Sequence, residues 1–164
     1  MPPYHPLEKT RILHHLGGMK FRKTWFGAIA FAALTLGSAA HAATMTVYKS
    51  PSCGCCAKWV EHVERHGFTV KTIPTDDMAA VKTRLKVPAA LQSCHTTVVG
   101  RYVVEGHVPA ADIKRLLAQK PRAIGIAVAG MPMGSPGMEH DGHRQPYSTM
   151  LIGTGGKATL FARH

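Results

Sequence analysis

Three of the chain's four cysteines fall in a single turn, Cys53-Gly54-Cys55-Cys56, directly before an amphipathic segment. Thiolates that close together hold a soft metal, exchange disulfides, or do both. The fourth cysteine, Cys94, is followed by His95, so a second pair of soft or borderline ligands exists further along the chain. The chemistry depends on whether the fold brings the two groups together.

At a helix N-terminus, free backbone N–H groups and the macrodipole favour thiolate over thiol, which suits both metal ligation and attack on a disulfide. Lys58 adds a nearby positive charge. Helical geometry makes Cys53 and Cys56 face one another across the first turn, with Cys55 pointing elsewhere and free to bridge outward. A plain Cys-x-x-Cys redox site has no need of Cys55, so the extra thiol shifts the balance from reductase to metal. Soft thiolates select Cu(I), zinc or iron–sulfur clusters, and thioethers add a preference for copper. A tract holding Met131, Met133, Met138, His140 and His143 therefore favours copper. Zinc held by three Cys and one His is the alternative, because that ligand set suits a closed tetrahedral site. An even cysteine count would suit two structural disulfides, but adjacent Cys55 and Cys56 do not staple distant loops. The blander readings are gap-filling for the methionines, a turn residue for His107 and solvated helix surface for the i, i+4 pair His62 and His66.

Elements that could position these groups follow from the pattern. Met45–Lys49 is β-prone and Ser50-Pro51-Ser52 breaks it. From Ala57, the positions Trp59, Val60 and Val63 follow a helical period, and Gly67 is placed to end that helix. Phe68–Ile73 alternates as a second strand closed by Pro74, and Asp76 or Asp77 caps a second helix through Met78, Val81 and Leu85. After a loop from Ala89 to His95, Thr96–Val99 and Tyr102–Glu105 flank Gly100-Arg101, the signature of a two-residue hairpin. Pro109 opens a third helix with Ile113, Leu116 and Leu117 on its buried side. The order β-α-β-α-β-β-α over residues 45–119 is that of the thioredoxin and glutaredoxin scaffold, with the dithiol at the junction of the first strand and helix. Proteins of that scaffold bring the loop before the third strand up against the dithiol, and here that loop carries Cys94-His95. The fold class expected is thus α/β, thioredoxin-like, over a domain of residues 43–120. Residues 121–164 form a Gly/Met-rich extension packing on the same domain. Its Pro121–Arg144 stretch wraps the domain, and it ends in a hairpin of Tyr147–Ile152 and Ala158–Phe161.

The N-terminus reads as processing signal rather than fold. Met19-Lys20-Phe21-Arg22-Lys23, an apolar run from Trp25 to Ala40, and Ala40-His41-Ala42 make a secretory signal over residues 19–42, cleaved near Ala42. The apolar run is short of the roughly 20 residues of a membrane span, so no stable span is expected after processing. Residues 1–18 read as a leader or as a start assigned too far upstream. With five of the 20 basic and one of the nine acidic residues lying in residues 1–42, the remainder keeps a net charge of +7. That charge is scattered and not interleaved with aromatics, which argues against nucleic acid as a partner.

Four blocks stand in order: Tyr48-Lys49-Ser50-Pro51-Ser52-Cys53-Gly54-Cys55-Cys56, Ser93-Cys94-His95-Thr96, Val104-Glu105-Gly106-His107-Val108-Pro109, and Gly130 through Glu139. With these the chain resembles the CopG-like copper-resistance family, thioredoxin-like proteins formerly grouped as a domain of unknown function, over essentially all of residues 43–164. The resemblance implies a periplasmic metal-binding protein associated with copper efflux. It implies Cys53, Cys55, Cys56 and Cys94 as thiolate ligands, with Met131, Met133 and His107 near the site. The thioredoxin pattern is less fully met, since no proline stands immediately before Thr97-Val98. The resulting expectation is an exported protein holding Cu(I), with adjacent thiolates bridging more than one ion, and with other copper-resistance or efflux proteins as partners. The alternative is a thiol–disulfide oxidoreductase using Cys53 as nucleophile and Cys56 as resolving thiol. Redox chemistry is a natural extension of the copper reading, since thiolates that release or re-bind copper could couple to Cu(I)/Cu(II) interconversion.

Overall fold

Met45 and Val47, both wholly buried, alternate with the half-buried Thr46 and Tyr48 along β1 (Thr44–Lys49). The computed structural model describes residues 43–164, and the leader and signal expected over residues 1–42 lie outside the described residues. Within them, β1 leads into α1 (Gly54–Arg65), β2 (Thr69–Pro74), α2 (Met78–Arg84), β3 (His95–Val99), β4 (Tyr102–Glu105) and α3 (Ala110–Gln119). Three further strands follow, β5 (Ala123–Ala127), β6 (Ser148–Gly153) and β7 (Ala158–Arg163), giving one mixed sheet in the order β2-β1-β3-β4-β5-β6-β7. β1 runs parallel to β2 and antiparallel to β3, β3 antiparallel to β4, and β4 parallel to β5. The molecule is therefore a mixed α/β protein. Among the described residues no helix is long and apolar enough to cross a membrane.

Local chemistry explains most of the boundaries. α1 ends with the Gly67 N–H on the Glu64 carbonyl and the Phe68 N–H on the Val63 carbonyl, Gly67 holding a φ of 88° that suits glycine. Asp77 caps α2 by accepting the Ala80 N–H at 2.9 Å. Gly100 turns the β3–β4 hairpin with a φ of 56°, setting Val99 opposite Tyr102. The main core lies between the sheet and the pair α1 and α3, where Trp59, Val63, Ile113 and Leu116 meet Met45, Val47, Val99, Val104 and Ile126. Burying large apolar side chains of this kind stabilises by about 1.5–3 kcal/mol each.

Three features differ from expectation. The stretch Pro121–Arg144, expected to wrap without regular structure, contributes β5. A Cβ at Gly125 would lie 1.7 Å from the Val103 carbonyl oxygen, so only glycine lets this strand approach β4. Pro109, expected as the first residue of α3, is instead its N-cap and has no side chain to offer. His62 of α1 supplies the missing acceptor, its Nε2 taking the Ala110 N–H at 3.1 Å. His62 is thus a cap shared between helices and not solvated surface, while His66 stays exposed with its ring 4.4 Å from that of His62.

This cap carries a pH dependence. Burial first, then neighbouring His66 and Arg65, lower His62 from 6.5 to about 4. The folded state favours the neutral imidazole, so its contribution is fully present above pH 6.5 and is lost as pH falls from there toward 4. A loss on the order of 1 kcal/mol is expected for a half-exposed group. It is read as a falling urea midpoint over that range, and His62→Gln, which keeps an acceptor without titrating, should flatten that share of the curve.

Candidate metal centre

The turn Ser50-Pro51-Ser52 ends β1 and returns the Cys53 N–H to the Ser50 carbonyl at 3.2 Å, delivering Cys53 to the N-cap of α1. Its Sγ accepts the Cys56 N–H at 3.3 Å, and Cys53 and Cys56 are joined by a disulfide across the first turn. Cys55 does not point away from that pair as expected: its Sγ lies 3.5 Å from Cys53 Sγ. The reason is helical geometry, since a side chain on a helix leans over the turn N-terminal to its own Cα, which is where Cys53 sits. The approach to β3 brings Cys94 Sγ to 3.5 Å from Cys56 and 4.0 Å from Cys55. All four sulfurs lie within 4.8 Å of one another.

Cys94 is also the corner of a second group. Its Sγ is 3.0 Å from His107 Nε2 and 3.4 Å from His95 Nδ1. His107 Nδ1 lies 2.8 Å from the Pro136 carbonyl, which can only accept, so Nδ1 carries the proton and Nε2 presents its lone pair to Cys94. Such a carbonyl is the usual orienting partner of a metal-binding imidazole. His95 is wholly buried against Trp59, ring centroids 4.4 Å apart, and its Nε2 has no hydrogen-bond partner. Burial holds both imidazoles below their ordinary pKa, with His107 and then Lys82 adding to the effect on His95, so both are neutral donors at physiological pH. Burial, and after it the neighbouring Cys55, pushes the Cys94 thiol up to about 12. In the metal-free protein that thiol keeps its proton, and a cation is what would make the thiolate favourable there.

The segment after β5 closes over these groups. Gly130 N–H donates to the Gln92 carbonyl at 3.1 Å, and the Ser93 hydroxyl donates to the Gly130 carbonyl. Gly137 is buried against the first turn of α1, where a Cβ would lie 2.7 Å from Cys55 O and 2.8 Å from Trp59 N. A cavity of about 420 Å³ beside Cys55 is lined by Lys58, Met133, Met138, Glu139 and His140. Of the sequence candidates, then, Cys53, Cys55, Cys56, Cys94 and His107 are assembled, and Met133 lines the adjoining cavity. Met131 is 52% exposed and is not part of the cavity wall. His140 and His143 pair with each other through their backbones, the His143 N–H reaching the His140 carbonyl at 2.8 Å. His95, the second member of the Cys94-His95 pair, is brought to the site as well, while buried Glu105 and Lys82 are additions for which spacing gives no signal.

Four sulfurs, two neutral imidazoles and neighbouring thioethers, with no carboxylate among the clustered ligand atoms, suit a soft cation and not magnesium or calcium. The His95 nitrogen nearest the sulfurs is Nδ1, 3.4 Å from Cys94 Sγ, which adds an imidazole donor to the group.

Comparison with known proteins adds to the geometry. Residues 91–138 match the model of a family described as protein of unknown function, DUF411. Two solved structures, copper resistance protein copG in Form 1 and Form 2, are each 42% identical to this chain. Each alignment covers 75% of this chain and 98% of the other, with a TM-score of 0.72. No curated protein matches significantly.

Proposed function

The chain belongs to the copper-resistance CopG family, and from that premise we propose that it is an exported protein that holds Cu(I) on Cys53, Cys55, Cys56 and Cys94 in copper resistance. The observation that carries the reading is the convergence of four sulfurs within 4.8 Å of one another, from two distant parts of the chain. Two-coordinate Cu(I) leaves thiolates to spare in such a set, so the ions would be bridged and more than one. His107 Nε2, the buried His95 and the thioethers of Met131 and Met133 are the further donors in this proposal, and zinc is the alternative occupant. Bound copper would supply a Cu(I)/Cu(II) couple beside a dithiol. Transit through a cleaved signal to the periplasm, with delivery to or from efflux proteins, belongs to the same proposal.

The thioredoxin-like reading of the scaffold is supported by the order β2-β1-β3-β4, with β1 parallel to β2 and antiparallel to β3, and by the dithiol at the N-terminus of α1. A specific observation favours the second functional reading. The Cys53–Cys56 disulfide is the oxidised form a thiol–disulfide oxidoreductase would use, with the Cys53 sulfur held at a helix N-terminus.

Anaerobic titration of the reduced protein with Cu(I), against a chromophoric chelator, separates the two. More than one Cu(I) per chain is expected, with fewer ions bound in Cys55→Ser. Saturation at one ion would remove the multinuclear part. Failure to compete with the chelator, together with insulin turnover that survives Cys55→Ser, would leave the oxidoreductase as the better account.

A further inference from the structure

Glu105 and Lys82 are charged and buried, 0% and 5% exposed, and neither touches the sulfurs. Lys82 Nζ reaches down from α2 to donate to Glu105 Oε1 at 2.5 Å and to Thr96 Oγ1 at 3.0 Å. The same Oε1 accepts the Ser93 backbone N–H at 2.7 Å, and Oε2 accepts the Thr96 hydroxyl at 2.6 Å. Ser93 and Thr96 are the residues on either side of the Cys94-His95 dipeptide. One carboxylate therefore grips the chain before and after the ligand-bearing pair.

The grip falls where the sheet gives none. β3 begins at His95, so Ser93 and Cys94 precede the ladder, and the Ser93 N–H finds its acceptor on Glu105. Thr96 and Glu105 are direct cross-strand partners in the β3–β4 hairpin, so the carboxylate is itself fixed in register with the residues it holds. A buried ion pair is a poor source of net stability compared with apolar residues of the same volume, and its best-attested use is to fix one arrangement over others.

We propose that Glu105, neutralised by Lys82, is a positioning residue for Cys94. By fixing the Ser93 amide and the Thr96 hydroxyl it holds the Cys94 sulfur against Cys56 and Cys55, and it acts by accepting hydrogen bonds rather than by its charge. The proposal rests on the copper reading only in its second readout.

Two charge-free double variants test it. Lys82→Met with Glu105→Gln keeps an amide oxygen to accept the Ser93 N–H, whereas Lys82→Met with Glu105→Leu keeps none. Both avoid leaving one buried charge unpaired. In the reduced, metal-free full chain, alkylation of Cys94 by iodoacetamide is measured against Cys55 of the same molecule by peptide mass spectrometry, and Cu(I) affinity is measured separately. The glutamine variant should stay within about threefold of wild type in both readouts. The leucine variant should raise the Cys94-to-Cys55 rate ratio about tenfold and lower Cu(I) affinity about 10–100-fold, the usual cost of losing an outer partner of a metal site. Equal ratios in the two variants would overturn the proposal. So would a leucine variant in which both cysteines accelerate together, which would make Glu105 a general stabiliser. A selective rise at Cys94 in a protein whose wild type binds no Cu(I) would uphold the positioning role and remove the copper reading instead.

Discussion

Cys94→Ser is expected to lower Cu(I) affinity by more than the roughly 10–100-fold typical of an outer-partner loss, and to reduce the number of ions bound per chain. Cys94 is the one sulfur common to both candidate groups, the four cysteines and the set Cys94, His95 and His107. Its replacement removes the donor that joins Cys56 and Cys55, at 3.5 and 4.0 Å, to His107 at 3.0 Å. A serine hydroxyl is a hard donor and does not substitute for thiolate toward Cu(I). The same residue sets a pH dependence. With its thiol pushed up to about 12 by burial, Cys94 enters metal binding protonated and must release a proton. Affinity of the wild type should therefore rise with pH, by about one decade per unit for each proton displaced, and the slope of log affinity against pH should fall in Cys94→Ser. A slope unchanged by the substitution would take Cys94 out of the ligand set.

Much of this arrangement is readable from local chemistry, and most of the unread parts share a cause. β1, α1 and the Gly100-Arg101 hairpin follow from apolar period and turn residues that act over a few positions. β5 was missed because Ala-Ile-Gly-Ile-Ala has weak strand character, and its Gly125 resembles a tail residue until Val103 is seen to need the space. Cys94 was expected beside the dithiol only through the scaffold, because the spacing between Cys56 and Cys94 says nothing about proximity. Lys82 and Glu105, separated by 23 positions, give no local sign of pairing, since a lone Lys on a short helix ordinarily faces water. Cys55 turns toward Cys53 because helical side chains lean toward the N-terminus, a direction that the facing of i and i+3 does not convey. Apart from Cys55, whose direction is set within its own helix, these are matters of tertiary approach, where a distant backbone or charge decides what a residue does.

Gly137→Ala should loosen the segment that closes the site, with a larger effect than the matched change Gly130→Ala. Both glycines hold positive φ, 82° and 65°, so both substitutions incur the roughly 1–2 kcal/mol that an L side chain costs in that region. At Gly130 a new Cβ meets nothing within 4 Å, and that cost is all. At Gly137 it would stand 2.7 Å from Cys55 O and 2.8 Å from Trp59 N, backbone atoms of the first turns of α1 that cannot step aside without moving the cysteines. The segment must lift instead, and Pro136 then withdraws the carbonyl that fixes the His107 tautomer at 2.8 Å. Gly130→Ala should lower the melting temperature by several degrees, on the scale of about 4 °C per kcal/mol for a domain of this size. Gly137→Ala should lower it by about 10 °C or more, and should also speed alkylation of Cys55 in the metal-free protein. If the two variants melt together and protect Cys55 equally, the segment's contact with α1 does not govern access to the thiols. In that case the closure of the site would rest on the Gly130 end alone, where Ser93 and Gln92 hold it.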